Sequence, residues 1–412
     1  MKKLILLFLV LVLKFAPAKA QWVTIPDVSF VNRLTQLYPS CMNGNQMDTT
    51  CAEITTEDTV NVSYLNIVNL AGIQYFDNLV YLKCDLNQLT SLPILPNSLI
   101  SLNCGRNQLS SLPNLPNSLT SLSCHQNQLT NLPALPTSLT ELYCSVNQLS
   151  SLPALPTSLT ELYCSENQLS SLPALPNSLT SLWCYENQLS SLPALPTSLT
   201  DLVCSNNQLS SLPTLPNSLT LLYCEVNQLS SLPALPTSLT DLYCSENQLS
   251  SLPTLPNTLI HLVCGNNELT SLPNLPNSLT RLICNYNQLS SLLSVPNVMQ
   301  TFIINNNNIS CLVNLPQVSF SSNSNISNNP LTCVPNQTNY SLGLPLCIDG
   351  DPINNPNNCA GVNLIGTIYN DLNNNCAYNT TDLLSQNIPV KLYDIQNNFL
   401  AQSYTINGVY SF

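Results

Sequence analysis

Two histidines, nine glycines and a charged fraction of only 7% exclude much of ordinary enzyme chemistry in this 412-residue chain. His125 follows Cys124 directly, and successive residues of an extended strand face opposite ways, so the two cannot form a thiolate–imidazole pair. His261 falls in a column between Asp241 and Arg281, which reads as charge pairing, with no nucleophile beside it. The scarcity of glycine rules out a glycine-rich phosphate loop. No Cys-x-x-Cys pair occurs, so zinc-ribbon spacing is absent too. Basic residues number nine, and four of them (Lys2, Lys3, Lys14 and Lys19) lie in the first twenty positions. The five that remain face twenty-one acids, a net charge near −16. Such a surface repels nucleic acid and anionic membranes. No enzyme and no nucleic-acid partner is expected.

Long apolar runs are also missing, apart from Leu4 to Leu13. That run follows Lys2-Lys3 and precedes Ala18-Lys19-Ala20, a small-x-small cleavage site. It is too short to span a bilayer and reads as a secretory signal over 1–20. The mature chain is expected to begin at Gln21, exported to the medium or the cell surface, with no transmembrane segment. Residues 21–58 are expected to form an N-terminal cap. Asp27 precedes Val28, Phe30, Val31, Leu34 and Leu37, the pattern of an amphipathic helix with a carboxylate at its start, ending before Pro39. Cys41 and Cys51 lie in the polar loop beyond, where an exported protein is expected to form a disulfide.

What the chain has in abundance is one unit, repeated. Leu139 to Ser158 reads LTELYCSVNQLSSLPALPTS, and twenty residues later it returns as LTELYCSENQLSSLPALPNS. Eleven such units run from Leu79 through the one starting at Leu279, and Phe302, Ile304, Asn307, Ile309 and Leu312 mark a degenerate twelfth. Val62, Leu65, Ile67, Leu70, Ile73 and Phe76 form an atypical rung ahead of them. The L-x-x-L-x-C-x-x-N-x-L pattern resembles the leucine-rich repeat, in the short LPxLPxSL form found in exported bacterial proteins. The resemblance implies a repeat solenoid, a leucine-rich repeat horseshoe with a parallel β-sheet on its concave face. The residues themselves add that two prolines in twenty leave no room for a helix on the return path, so the convex side is expected to be extended and polyproline-like. The array is assigned to residues 59–335, and at about 4.8 Å per strand twelve rungs span roughly 55 Å.

Read as columns, the unit divides into jobs. Leu142 and Cys144 alternate with Glu141, Tyr143 and Ser145, a short strand with one buried face. The Asn column, from Asn87 to Asn307, is expected to pair backbone groups between rungs. Eleven cysteines from Cys84 to Cys284 are expected to be small buried thiols; oxidation or metal uptake by the ladder is the alternative. The column between the buried Leu and Cys carries Tyr143, Tyr163, Trp183, Tyr223 and Tyr243, continuing to Ile303 as one aromatic and aliphatic stripe. Glu141, Glu161, Asp201 and Asp241 flank it on one side, and Glu166, Glu186, Glu225 and Glu246 on the other. Exposed apolar stripes mark contact sites, and Tyr and Trp dominate binding hot spots. The bland alternative is that aromatics favour strands and stack rung upon rung. The expected function is partner recognition by the middle rungs of an exported or surface-bound, adhesive protein acting as a monomer. The partner is a protein carrying basic residues, or a glycan stacked on the rings. A surface stalk without a ligand is an alternative, as is the host-directed effector role known among bacterial proteins with this repeat type.

Cys311, Cys333, Cys347 and Cys359 lie where the array ends, and one or two disulfides are expected there. Residues 336–360 read as a linker rich in Pro, Asn, Gly and Asp. The stretch GTIYNDLNNNCAYNTTDLLSQNIPVKLYD, with TINGVYSF after it, resembles the β-sandwich modules of bacterial surface adhesins, the Ser-Asp-repeat B-type and carboxypeptidase-regulatory-like families. It implies a truncated β-sandwich over 361–412. Asp371, Asn373, Asn375, Asn379 and Asp382 fall at positions 1, 3, 5, 9 and 12 of a loop able to wrap calcium. Cys376 stands where a glycine normally makes the sharp turn, and Asp382 is shorter than the usual glutamate. An Asn-rich turn without metal is the alternative, and Cys376 pairing with Cys359 is a further one.

Overall fold

A computed structural model describes residues 21–292, 295–312, 315 and 324–334, together with the backbone of short strand segments between 366 and 410. The chain divides into two compact units, Met1–Leu159 and Thr160–Phe412. Both are built from the same parallel β-solenoid turn.

In the first unit the helix Val28–Leu37 starts where its capping residue demands. Asp27 Oδ1 accepts from the Phe30 N–H at 2.9 Å, and Oδ2 accepts from Val68 N at 2.7 Å and Asn69 N at 3.2 Å. One carboxylate thus caps the helix and ties it to the first rung. Phe30 and Leu34 are buried beneath it. Gly72 is obligatory here, because its φ is +119° and a Cβ would lie 2.4 Å from Ile25 Cδ1. The stretch after Pro39, expected as a polar loop, is more ordered than that. A hairpin of Met42–Asn43 and Gln46–Asp48 turns at Gly44 and adds Trp22–Thr24 as a third strand. Cys41 and Cys51 form a disulfide across it.

Rungs then begin. In the first unit Thr59–Asn61, Tyr81–Lys83, Ser101–Asn103, Ser121–Ser123 and Glu141–Tyr143 are parallel strands. Their partners differ by twenty residues from Tyr81 onward, with Leu82, Leu102, Leu122 and Leu142 in one column. The second unit holds eight more, from Glu161–Tyr163 to Thr301–Ile303, again in strict register. From the rung of Tyr81 onward, no helix occurs on a return path among the described residues. Each of these strands is only three residues long, so the interior is built on the strand leucines and the cysteine column, all of them buried.

Two side-chain ladders close the polar accounts of this short turn. Asn127 Nδ2 lies 3.1 Å from Cys104 O, 3.0 Å from Cys124 O and 3.3 Å from His125 O, while its Oδ1 accepts from Leu109 N at 2.9 Å. The same set recurs at Asn207 and Asn247. The second ladder goes beyond the sequence expectation. Ser118 Oγ reaches Asn97 O and Leu99 O of the preceding rung, both at 2.7 Å, and Ser198 and Ser238 do likewise. The serines of these PNSL and PTSL segments therefore stitch the back of the solenoid.

Beyond Thr301–Ile303, Asn325 bridges to Ile303 as a last partial rung. Cys311 and Cys333 are both disulfide-bonded, and Cys311 packs against Cys333. Further on, three antiparallel pairs are described: Gly366–Thr367 with Val409–Tyr410, Tyr369–Asn370 with Leu383–Leu384, and Pro389–Tyr393 with Phe399–Tyr404. The signal segment, the calcium-loop residues Asp371, Asn373, Asn375, Asn379 and Asp382, and the pair Cys359 and Cys376 lie outside the described residues.

Candidate binding face

Each three-residue strand of the regular rungs buries its middle residue and turns the two flanking residues to the opposite face. The pattern is plain in Asp241–Tyr243 and Arg281–Ile283, where Leu242 and Leu282 are fully buried between half-buried neighbours. Two columns therefore line this open face, one headed by the first strand residue and one by the third.

In the second unit the third-residue column runs Tyr163, Trp183, Val203, Tyr223, Tyr243 and Val263 in register. Tyr163 and Trp183 stack with ring centroids 4.7 Å apart and planes 13° apart. Tyr223 and Tyr243 lie closer, at 4.2 Å, with planes tilted by 44°. The expected stripe is not evenly exposed. Val203 and Val263 are 9% and 7% exposed, because each sits between larger side chains in the adjoining rungs. Trp183, at 38%, is more exposed than Tyr163, Tyr223 and Tyr243. The face thus carries two aromatic pairs separated by a covered valine. Burial, then the neighbouring Tyr243 and Asp241, pushes the Tyr223 hydroxyl up to about 12.

The first-residue column supplies the charge. Glu161, Asp201 and Asp241 are all half-buried on this face. Thr200 and Thr240 hydroxyls donate to Asp201 and Asp241 at 2.6 and 2.7 Å and hold those carboxylates in place. His261 Nδ1 lies 2.6 Å from Asp241 Oδ1, a hydrogen-bonded pair within this column. Glu141 and Tyr143 belong to the first unit, where Ser121 Oγ donates to Glu141 Oε2 at 2.8 Å.

The other acidic group sits past the buried cysteines. Glu166, Glu186 and Glu246 occupy a position with left-handed backbone, at φ of 54°, 51° and 55°. Glu225 stands one residue earlier in its rung. Burial, then the nearby Glu246 carboxylate, pushes the Glu225 carboxyl up. The Tyr185 hydroxyl lies 3.4 Å from Glu166 Oε1, and burial followed by that carboxylate raises its pKa. Sequence reasoning does not single out Tyr185. Its signal is its place beside Trp183, two residues along the same rung, in a column otherwise filled mostly by small or polar residues.

The cysteine ladder is shielded from solvent. All eleven are buried thiols. Burial pushes Cys204 up to about 12, and burial first, then neighbouring thiols, raises Cys104, Cys124 and Cys244. Among the described residues no group of His, Cys, Asp and Glu side chains is arranged to hold a metal ion, and no helix is long and apolar enough to cross a membrane.

A family model of leucine-rich repeats (two copies) matches residues 137–177 and 157–197. No curated protein matches the chain. Among solved structures, YopM from Yersinia enterocolitica WA-314 is 39% identical, with 64% of this chain and 62% of that one aligned at a TM-score of 0.59. The chain therefore spans about 62% of the length of that relative. YopM of Yersinia pestis, described as a leucine-rich effector protein, is 31% identical over 77% of this chain and 97% of its own, at a TM-score of 0.61. The functional domain of InlJ from Listeria monocytogenes, whose structure includes a cysteine ladder, is 23% identical and shares the fold at a TM-score of 0.61, over 94% and 97% of the two chains. With its period, its ladders and these relatives together, the chain belongs to the leucine-rich repeat family.

Proposed function

We propose that the chain is an exported bacterial binding protein that recognises a partner protein through the open sheet face of its second unit. The observation that carries this is the Tyr163–Trp183 stack, with Trp183 exposed on a face whose other apolar residues are half or fully covered. A rigid, pre-stacked ring pair loses little conformational freedom on binding. Glu161, Asp201 and Asp241 line the same face and favour a partner with basic residues opposite them. Export is supported by Lys2-Lys3, the apolar run after it and the Cys41–Cys51 disulfide, which suits an oxidising compartment. The similarity to the Yersinia pestis effector supports a second reading, delivery to a host.

The test compares affinity capture by the wild-type chain and by the Trp183→Ala/Tyr223→Ala double variant, with captured proteins identified by mass spectrometry. A partner retained only by the wild type, with circular dichroism unchanged in the variant, supports the reading. A partner retained equally by both defeats it.

A further inference from the structure

We infer that the open face is polar along its length and takes an extended peptide segment that places an acidic side chain against Arg281. This rests on the reading of that face as a binding surface and gives it a direction. The first-residue column runs Asp201, Leu221, Asp241, His261, Arg281 in register, so its sign changes from acidic to basic over two rungs.

Arg281 is the unusual member. Asp241 is already engaged by His261 at 2.6 Å. It is also two rungs from Arg281, about 9.6 Å at one strand spacing per rung. Arg281 is half-buried, its Nε is screened from solvent, and among the described residues that Nε has no acceptor. The other described arginines are different. Arg33 Nε donates to Asn61 O at 3.3 Å, and Arg106 Nε donates to Gln126 Oε1 at 2.6 Å. A guanidinium whose Nε is buried and unpaired is unfavourable alone, and a carboxylate that reaches the open part of the half-buried group offsets that cost. Ile283, on the same face of the same strand, supplies an apolar floor beside it.

The occupant follows from charge and distance. Trp183 and Arg281 lie on strands five rungs apart, about 24 Å at that spacing, which an extended chain crosses in roughly seven residues. A fitting segment has an apolar or aromatic anchor at Trp183, a basic residue opposite Asp201 and an Asp or Glu about seven positions from the anchor.

The experiment pans a random dodecapeptide display library on the full chain, keeping only peptides lost on Trp183→Ala. The expected peptides share an acidic residue about seven positions from an apolar anchor. They bind Arg281→Glu about tenfold or more weakly than the wild type, and changing that acid to Lys restores binding to Arg281→Glu. Arg281→Gln, which removes the charge without reversing it, should give a smaller loss, and the rescue by Lys shows that the Arg281→Glu chain is folded. Trp183-dependent peptides that bind Arg281→Glu and Arg281→Gln as well as wild type overturn this inference and leave the binding face standing. If no peptide depends on Trp183, both fail.

Discussion

Tyr163 and Trp183 lie ring on ring, 4.7 Å between centroids and 13° from parallel, on neighbouring strands of one sheet face. In-register pairing of the two rungs forces that contact, since Trp183 is the direct partner of Tyr163. An offset stack of this kind is worth about 0.5–1.5 kcal/mol beyond area burial. Tyr163→Ala should therefore lower stability by more than about 1 kcal/mol, since the area that the half-buried ring covers is lost as well, and leave Trp183 more accessible. With Trp22, the other tryptophan, changed to Phe, acrylamide quenching of the remaining fluorescence should rise. Unchanged quenching would mean that Tyr163 does not shield the indole.

The asparagine ladder should be the most sensitive polar element. Asn207 serves three carbonyls through Nδ2, at 3.0, 3.1 and 3.2 Å, and accepts from Leu189 N at 3.0 Å. Asn207→Ala leaves those half-buried groups unpaired, an expected loss of about 1–3 kcal/mol in urea denaturation. Asn207→Asp keeps the shape but turns a carboxylate toward three carbonyl oxygens, so it should be at least as damaging. A loss below that of an exposed substitution such as Gln208→Ala would contradict the assignment.

The thiol ladder predicts a steep alkaline limit. Burial raises Cys204 from its ordinary value of 9.0 to about 12, and burial first, then neighbouring thiols, raises Cys224 well above that value. The folded state thus holds protons that the unfolded chain releases. Stability is flat below about pH 9 and falls above it, by about 1.4 kcal/mol per pH unit for each thiol in that window. Replacing Cys204 and Cys224 by Ala should flatten the fall between about pH 9 and pH 11, read as the denaturation midpoint against pH. A midpoint with the same slope in both chains would count against this linkage.

One position in each rung is held in a strained turn. Val226 has φ at +52°, a left-handed conformation unfavourable for a branched side chain. The backbone is kept there by bonds to the next rung, Val226 N to Ser245 O at 3.0 Å and Asn227 N to Glu246 O at 3.2 Å. Other rungs use Asn at this place, as at Asn206 and Asn266. Val226→Asn should raise stability by about 1 kcal/mol, measured by thermal unfolding, and a loss would refute the strain argument.

That turn also marks where the sequence stops being legible. Leu86, Arg106, Gln126 and Val146 all adopt positive φ, yet none is the glycine that normally announces it. Hydrogen bonds between rungs, not local preference, impose the conformation. The unbroken twenty-residue period makes the solenoid, the leucine core and the asparagine ladder readable, because a fixed period dictates which residues stack. It does not reveal how stacked side chains shade one another. Val203 and Val263 occupy the same column as Trp183 but are covered by their neighbours. The N-terminal hairpin escapes a reading built on repeats because no repeat marks it; its signal is the two-residue loop Gly44-Asn45, with Gly44 at positive φ. Arg281 can be placed in its column from sequence, whereas the burial of its Nε away from any acceptor shows only in the folded chain.

The central claim is that the aromatic face binds a partner, and Trp183→Ala tests it most directly. With the captured partner or a selected peptide titrated by calorimetry, the variant should bind about tenfold or more weakly, with an unchanged circular dichroism spectrum. Equal affinity in a folded Trp183→Ala chain would contradict the account.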